Sequence, residues 1–196
     1  TVANCTVIEY DGNIYADNTN YSTIENNWIF NASTPYCLEI DSGWHNRIMS
    51  NHLNYFLAIS SGGDNYIYNN TLSGDSGMRV ATEYNDTFSS NVIIGTPMEG
   101  LVGIALSYNT TNCTVFNNTI SGMTDSHQGG INIDVDSKYN NLTYNNITNC
   151  RTGVGMRYGA IYDNIVHNWI TNNSVGIWAS DDLGVSYNNT FYDNYF

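Results

Sequence analysis

Positive charge is scarce in this 196-residue chain: five Lys and Arg stand against eighteen Asp and Glu, a formal net charge of −13. A surface of that sign repels phosphate backbones instead of releasing their counterions, which excludes nucleic acid as a partner. Only two prolines occur, too few for a proline-rich spacer. No run of eighteen or more apolar residues exists, so no membrane span is expected. The chain opens at Thr1 without Met or an apolar leader, and it is expected to be a mature, processed or trimmed form. Also missing are apolar residues at i, i+3, i+4 and i+7 behind a capping residue, the pattern an amphipathic helix needs.

What is abundant is amide and phenol: 32 Asn and 16 Tyr, with 41% hydrophobic residues. That apolar content is too high for an acidic disordered chain, whose burial could not offset the entropy of ordering. The length fits a single domain over residues 1–196, with 1–20 irregular or forming a first partial coil.

One short phrase recurs eight times, anchored on Asn27, Asn51, Asn70, Asn91, Asn118, Asn145, Asn168 and Asn189. Successive anchors lie 19 to 27 residues apart, the range of a solenoid repeat. Three residues before them stand Ile24, Ile48, Ile67, Phe88, Val115, Leu142 and Ile165, with Ser186 the one polar exception. Two residues after come Ile29, Leu53, Leu72, Ile93, Ile120, Ile147, Ile170 and Phe191. Four residues after, Asn31, Tyr55, Gly74, Gly95, Gly122, Asn149, Asn172 and Asp193 are mostly types that tolerate positive φ, which predicts a turn. A period-two alternation follows each turn, as in Met78 and Val80 or Ile104 and Leu106, and reads as a further strand. Short strands recurring on the same face once per repeat must stack in parallel, which predicts an all-β, single-stranded parallel β-helix of about eight coils with little or no helix.

Asn suits the anchor because its amide carries donors and an acceptor, so stacked copies about 4.8 Å apart can bond the coils above and below. Asp at that spacing would repel its neighbours. A ladder of anchors is therefore expected, although Asn as a simple turn former predicts the same backbone.

Phrases such as Tyr68-Asn69-Asn70-Thr71-Leu72-Ser73-Gly74 and Phe116-Asn117-Asn118-Thr119-Ile120-Ser121-Gly122 resemble the right-handed parallel β-helix repeat of carbohydrate-binding and sugar-hydrolysis proteins. So do Tyr144-Asn145-Asn146-Ile147-Thr148-Asn149 and Tyr187-Asn188-Asn189-Thr190-Phe191-Tyr192-Asp193. The Asn-rich, Tyr-rich, Lys-poor composition is similar to that of archaeal surface-layer and sheath proteins. The resemblance implies the fold; the family includes lyases, hydrolases, epimerases and chains without catalysis, so it implies no one activity.

Twelve Asn-x-Ser/Thr triplets occur; those at Asn4, Asn20, Asn85, Asn109, Asn112 and Asn141 lie off the inner repeat positions and are candidate N-glycan sites. Cys5, Cys37, Cys113 and Cys150 lack the two-residue spacing of a metal site. An even count in a surface-like chain favours disulfides, with Cys5–Cys37 and Cys113–Cys150 the pairs expected by proximity.

No catalytic constellation is expected. Asp134 with Asp136, on one strand, and Asp181 with Asp182 are the carboxylate pairs available for sugar hydrolysis, yet alternating Asp more often marks a solvated face. Arg47, Arg79, Lys138, Arg151 and Arg157 are the whole cationic supply for a lyase base. His45, His52, His127 and His167 are scattered without ligand spacing, so no metal or other cofactor is expected. An intermittent aromatic stripe, Tyr68, Phe116, Tyr144 and Tyr187, is expected to face outward, against sugars or another copy of the chain. Repeat phrasing runs to Phe196 with no cap in view, so open ends are expected to add strands from other copies. The sequence therefore points to an extracellular, cell-surface structural protein, a glycosylated β-helix that assembles into a filament, sheath or surface layer. A carbohydrate-binding or carbohydrate-cleaving β-helix is the alternative.

Overall fold

The computed structural model describes residues 1–9, 14–31, 36–96, 102–124, 129–180 and 186–196. Asp181, Asp182 and His127 lie outside the described residues.

Every strand pair is parallel, and the strands form three sheets of nine, eight and eight strands, each sheet a wall of a triangular solenoid. One coil shows the plan: Thr87–Ser89 in the first wall, Val92–Gly95 in the second, Ile104–Ser107 in the third. No helix occurs among the described residues. The solenoid completes about seven turns where the anchors predict eight.

The last anchor is also displaced. Phe191 pairs with Ile165, the residue three before Asn168, so the final anchor is Asn194 and not Asn189. Phe191 thus takes the place that the repeat assigned to Ser186, and the one polar exception in that row disappears.

The core is stacked rungs of one residue type. Ile48, Ile67, Phe88, Val115, Leu142 and Ile165 face one another in register on the first wall, and all are buried. Leu72, Ile93, Ile120, Ile147 and Ile170 do the same on the second. On the third wall two inward rows run together, Met78-Ile104-Ile131-Val154 and Val80-Leu106-Ile133-Met156. Each such side chain stabilises the fold by about 1.5–3 kcal/mol through burial.

Between the first and second walls the chain turns in two residues. The residue before each anchor is left-handed, at φ 55 for Asn69, 54 for Ser90, 55 for Asn117, 56 for Tyr144 and 56 for His167. The anchor that follows turns its amide inward. Asn70 donates its N–H to Asn91 Oδ1 at 2.9 Å and its Nδ2 to the Ile48 carbonyl at 2.9 Å. The same bonds recur from Asn27 to Asn168, and all of these amides are buried. The turn expected four residues after the anchor is left-handed at Gly74, Gly122, Asn149, Asn172 and Asp193, but not at Tyr55 or Gly95.

A second ladder, not anticipated, stands five residues before the first, at Asn46, Asn65, Asp86, Cys113, Asn140, Asp163 and Asn189. Asn65 donates its N–H to Asp86 Oδ1 at 2.8 Å, and Asn140 to Asp163 Oδ1 at 2.8 Å. Asn189 belongs here, accepting the Asp163 N–H at 2.8 Å.

Cys5, Cys113 and Cys150 carry free thiols in the structure, where Cys5–Cys37 and Cys113–Cys150 bridges were expected. Cys113 sits in the second ladder, whereas Cys150 donates its N–H to Asn173 Oδ1 at a different corner. Cys37 is buried while Cys5 is exposed. The pairs close in sequence are therefore placed by different corners of the coil.

Candidate functional site

The third wall presents a ladder of outward side chains: Glu39, Ala58, Arg79, Ala105, Asn132, Gly155 and Trp178 stand in register on successive coils. Alternation in a strand forces this, because Arg79 lies between the inward Met78 and Val80, and Ala105 between the inward Ile104 and Leu106. Small residues dominate the middle of the ladder, and the neighbouring row adds Ser60, Ala81 and Ser107. The wall is therefore a trough. Its cavity, about 660 Å³, is rimmed by Tyr36, Tyr55, Phe56, Tyr108 and Tyr158 and also lined by Glu39, Asp75, Asp134, Arg79 and Arg157.

Two of the five cations of the chain stand in this trough, in different states. Arg157 is clamped: its Nε donates to Asp134 Oδ1 and its Nη2 to Asp134 Oδ2, both at 2.9 Å. With the Asn132 carboxamide turned so that its oxygen faces the guanidinium, that oxygen accepts from Arg157 Nη2 at 3.0 Å. Burial raises the Asp134 carboxyl above its usual range, against the opposing pull of Arg157. Arg79 is exposed, donates Nη1 to the Tyr36 hydroxyl at 2.8 Å, and lies 5.9 Å from the centroid of the Tyr36 ring. It makes no ion pair with any described carboxylate.

Asp134 and Asp136 do not share a face as a continuous strand would require. The strand ends at Ile133, and Val135 and Asp136 are both left-handed, at φ 49 and 58. Asp134 faces the trough while Asp136 turns away at the corner. Of the glycan candidates, Asn4, Asn20, Asn85, Asn109 and Asn112 are exposed and Asn141 is half-buried. Asn85 and Asn112 have their amide nitrogens engaged, Asn112 Nδ2 donating to Asn85 Oδ1 at 3.1 Å. Tyr68, Phe116, Tyr144 and Tyr187 are exposed at the surface.

Away from the trough, buried acids interrupt the second ladder. Glu83 accepts the Gly62 N–H at 2.8 Å and faces Asp86, whose Oδ2 has no hydrogen-bond partner among the described residues. Burial pushes both carboxyls up, and the neighbouring Asp86 raises Glu83 further. Asp163 Oδ2 is likewise without a partner, and burial pushes that carboxyl up to about 7.

Three stacked parallel walls, an amide ladder and an outward trough define a helix-free β-solenoid scaffold. The chain belongs to the family described as "Periplasmic copper-binding protein (NosD)", whose match covers residues 58–196 and whose fold is the right-handed parallel β-helix. No curated protein matches the chain. A periplasmic family lies on the outer side of the cytoplasmic membrane, the side of the expected extracellular, cell-surface location, although the periplasm is not itself the cell surface. No helix among the described residues is long and apolar enough to cross a membrane.

The family description names copper, which prefers thiolate, thioether and imidazole donors. Among the described residues no group of three or more His, Cys, Asp or Glu is arranged to hold a metal ion. His45, His52 and His167 each stack on a different ring, Tyr21, Trp28 and Tyr144. Burial raises the Cys150 thiol to about 11 and raises Cys113 further, which disfavours the thiolate a metal needs. The described His, Cys and carboxylate side chains therefore do not assemble a copper site.

Proposed function

We propose that this chain is a non-catalytic extracytoplasmic β-helix that binds a carbohydrate chain lengthwise in the third-wall trough. One observation carries this reading: the trough spans six successive coils, from the strand Tyr36–Asp41 to Arg157 and Tyr158 just after the strand Thr152–Met156, with a floor of Ala and Ser between aromatic side chains. Five steps of the strand spacing span about 24 Å, room for an oligosaccharide. Aromatic rings stack on sugar faces, while Ser60, Ser107, Glu39 and Asp75 offer hydroxyl and carboxylate partners to sugar hydroxyls. Asp134 is committed to Arg157 and Asp136 is turned aside, so the carboxylate pair that the sequence offered for sugar hydrolysis is not assembled in the trough, and binding without cleavage is the function we favour.

Titration with a neutral chito-oligosaccharide tests this. Ala105 is half-buried and faces the trough, so Ala105→Trp fills the floor without entering the core. Binding to the parent and loss in the variant, at an unchanged unfolding midpoint, is the expected result; equal affinity for both places the ligand elsewhere.

A second reading, association of copies, is favoured by exposed aromatic ladders on other faces. Tyr139 stacks on Tyr162 at 5.1 Å and Trp169 on Tyr195 at 4.2 Å, and all four rings are exposed. Sedimentation across a hundredfold range of concentration decides it: a constant monomer mass removes the reading. N-glycans on Asn4, Asn20 and Asn109 would be compatible with either function, and intact mass of native material tests them.

A further inference from the structure

We infer that Arg79 is a carboxylate-recognition residue, and that the ligand of the trough is a glycan carrying acidic groups sparsely, separated by neutral sugars. The inference rests on the trough being the binding site. The two guanidiniums of the trough differ: Arg157 has a carboxylate partner, and Arg79 has none among the described residues. Asp134 takes both Nε and Nη2 of Arg157, leaving that group neutralised as a pair. Arg79 has instead a phenol: Tyr36 Oη accepts from Nη1 at 2.8 Å across the intervening strand, over the small Ala58. A phenol orients a guanidinium without cancelling its charge, so the remaining N–H groups keep the planar fork that suits a carboxylate. The flanking in-register residues, Ala58 and Ala105, are too short to crowd or cap it.

The overall charge sets the density of acid. Each additional carboxylate on the ligand meets a surface of net −13, with Glu39, Asp75 and Asp134 lining the trough itself. One site for an anion in a trough about 24 Å long therefore selects a glycan with uronates spaced by neutral residues over a fully charged polyuronate.

The test compares three probes of equal length on the folded chain by calorimetry: a hyaluronan oligosaccharide, in which uronate alternates with N-acetylhexosamine, a neutral chito-oligosaccharide, and an oligogalacturonate charged at every unit. The hyaluronan probe is expected to bind about tenfold more tightly than the other two, the scale of one charge-assisted contact. Arg79→Gln is expected to remove that margin, read as the ratio of the hyaluronan to the neutral-probe affinity within the same variant, and Arg79→Lys to restore part of it. Equal binding of hyaluronan and neutral probes, or an Arg79→Gln variant that keeps the margin, overturns the role of Arg79 while leaving the trough in place. Preference for the oligogalacturonate overturns the spacing argument, and no binding by any probe overturns the trough reading and this one together. Because Arg79 is exposed, the variants are expected to melt with the parent, which separates lost recognition from lost fold.

Discussion

Asn118 Oδ1 accepts both the backbone N–H and the side-chain Nδ2 of Asn91, each at 3.0 Å, while its own Nδ2 donates to the Phe88 carbonyl at 2.9 Å. One buried amide thus satisfies groups on two coils at a corner too tight for water. Asn118→Ala leaves the Asn91 N–H and the Phe88 carbonyl unsatisfied and is expected to lower stability by about 1–3 kcal/mol. Asn118→Asp keeps the acceptor but loses the donor and buries a charge, so its loss is expected to grow as pH rises. Chemical denaturation at pH 5 and pH 8 measures both.

The second ladder carries its own pH dependence. Asn140 Nδ2 donates to the Thr110 carbonyl at 3.2 Å, and the repeat gives Ser137 to Asp163 in the same relation. A carboxylate oxygen facing a carbonyl is repelled unless protonated. Asp163 is pushed up to about 7 in the fold, against about 4 in an unfolded chain. Between those values the folded chain keeps a proton the unfolded chain has lost, so stability falls as pH rises through the window and then levels. The expected loss is on the order of 2–4 kcal/mol, and Asp163→Asn should abolish it and stabilise the protein at pH 8. Parallel curves for parent and variant would contradict this.

Coil stacking leaves no room at the glycines of the third-wall corner. A Cβ on Gly130 would lie 2.2 Å from Ile147 Cγ2 and 2.9 Å from the Gly153 carbonyl oxygen. Gly130→Ala is expected to cost about 1–3 kcal/mol by overpacking. Gly130→Ala combined with Ile147→Leu, which removes the branch methyl Cγ2 that the new Cβ would strike from the adjoining second wall, should recover part of that loss in a thermal melt.

Thiol chemistry separates the free-thiol structure from the bridged one. Cys5 is exposed, and Cys37, Cys113 and Cys150 are buried. A disulfide-exchange reagent should modify one thiol in the native protein and four after unfolding without reductant. Fewer than four in the unfolded chain would mean that a bridge exists.

The fold was legible because a solenoid writes its geometry into a period. The Ile and Leu rows and the anchors from Asn27 to Asn168 recur with nearly fixed neighbours, and each occupies the same place in successive coils. The last coil was misplaced because Tyr187-Asn188-Asn189-Thr190-Phe191 imitates the phrase around Asn70, although Asn194 holds the bond. The second ladder carried a signal, a constant offset of five before each anchor, but Asp86, Cys113 and Asp163 break the run of Asn and hid it. The trough was not legible. Arg79 and Tyr36 are 43 residues apart and meet across the one coil that lies between theirs, and no local pattern encodes the length of the loops that set that register.

Hydrogen exchange with and without the hyaluronan oligosaccharide tests the central claim, that the third wall is the binding face, most directly. Added protection is predicted at the strands Phe56–Ser60, Met78–Ala81 and Ile104–Ser107, with the first and second walls unchanged. Protection confined to the aromatic corner around Tyr139 and Tyr162, or no change on any wall, would contradict it.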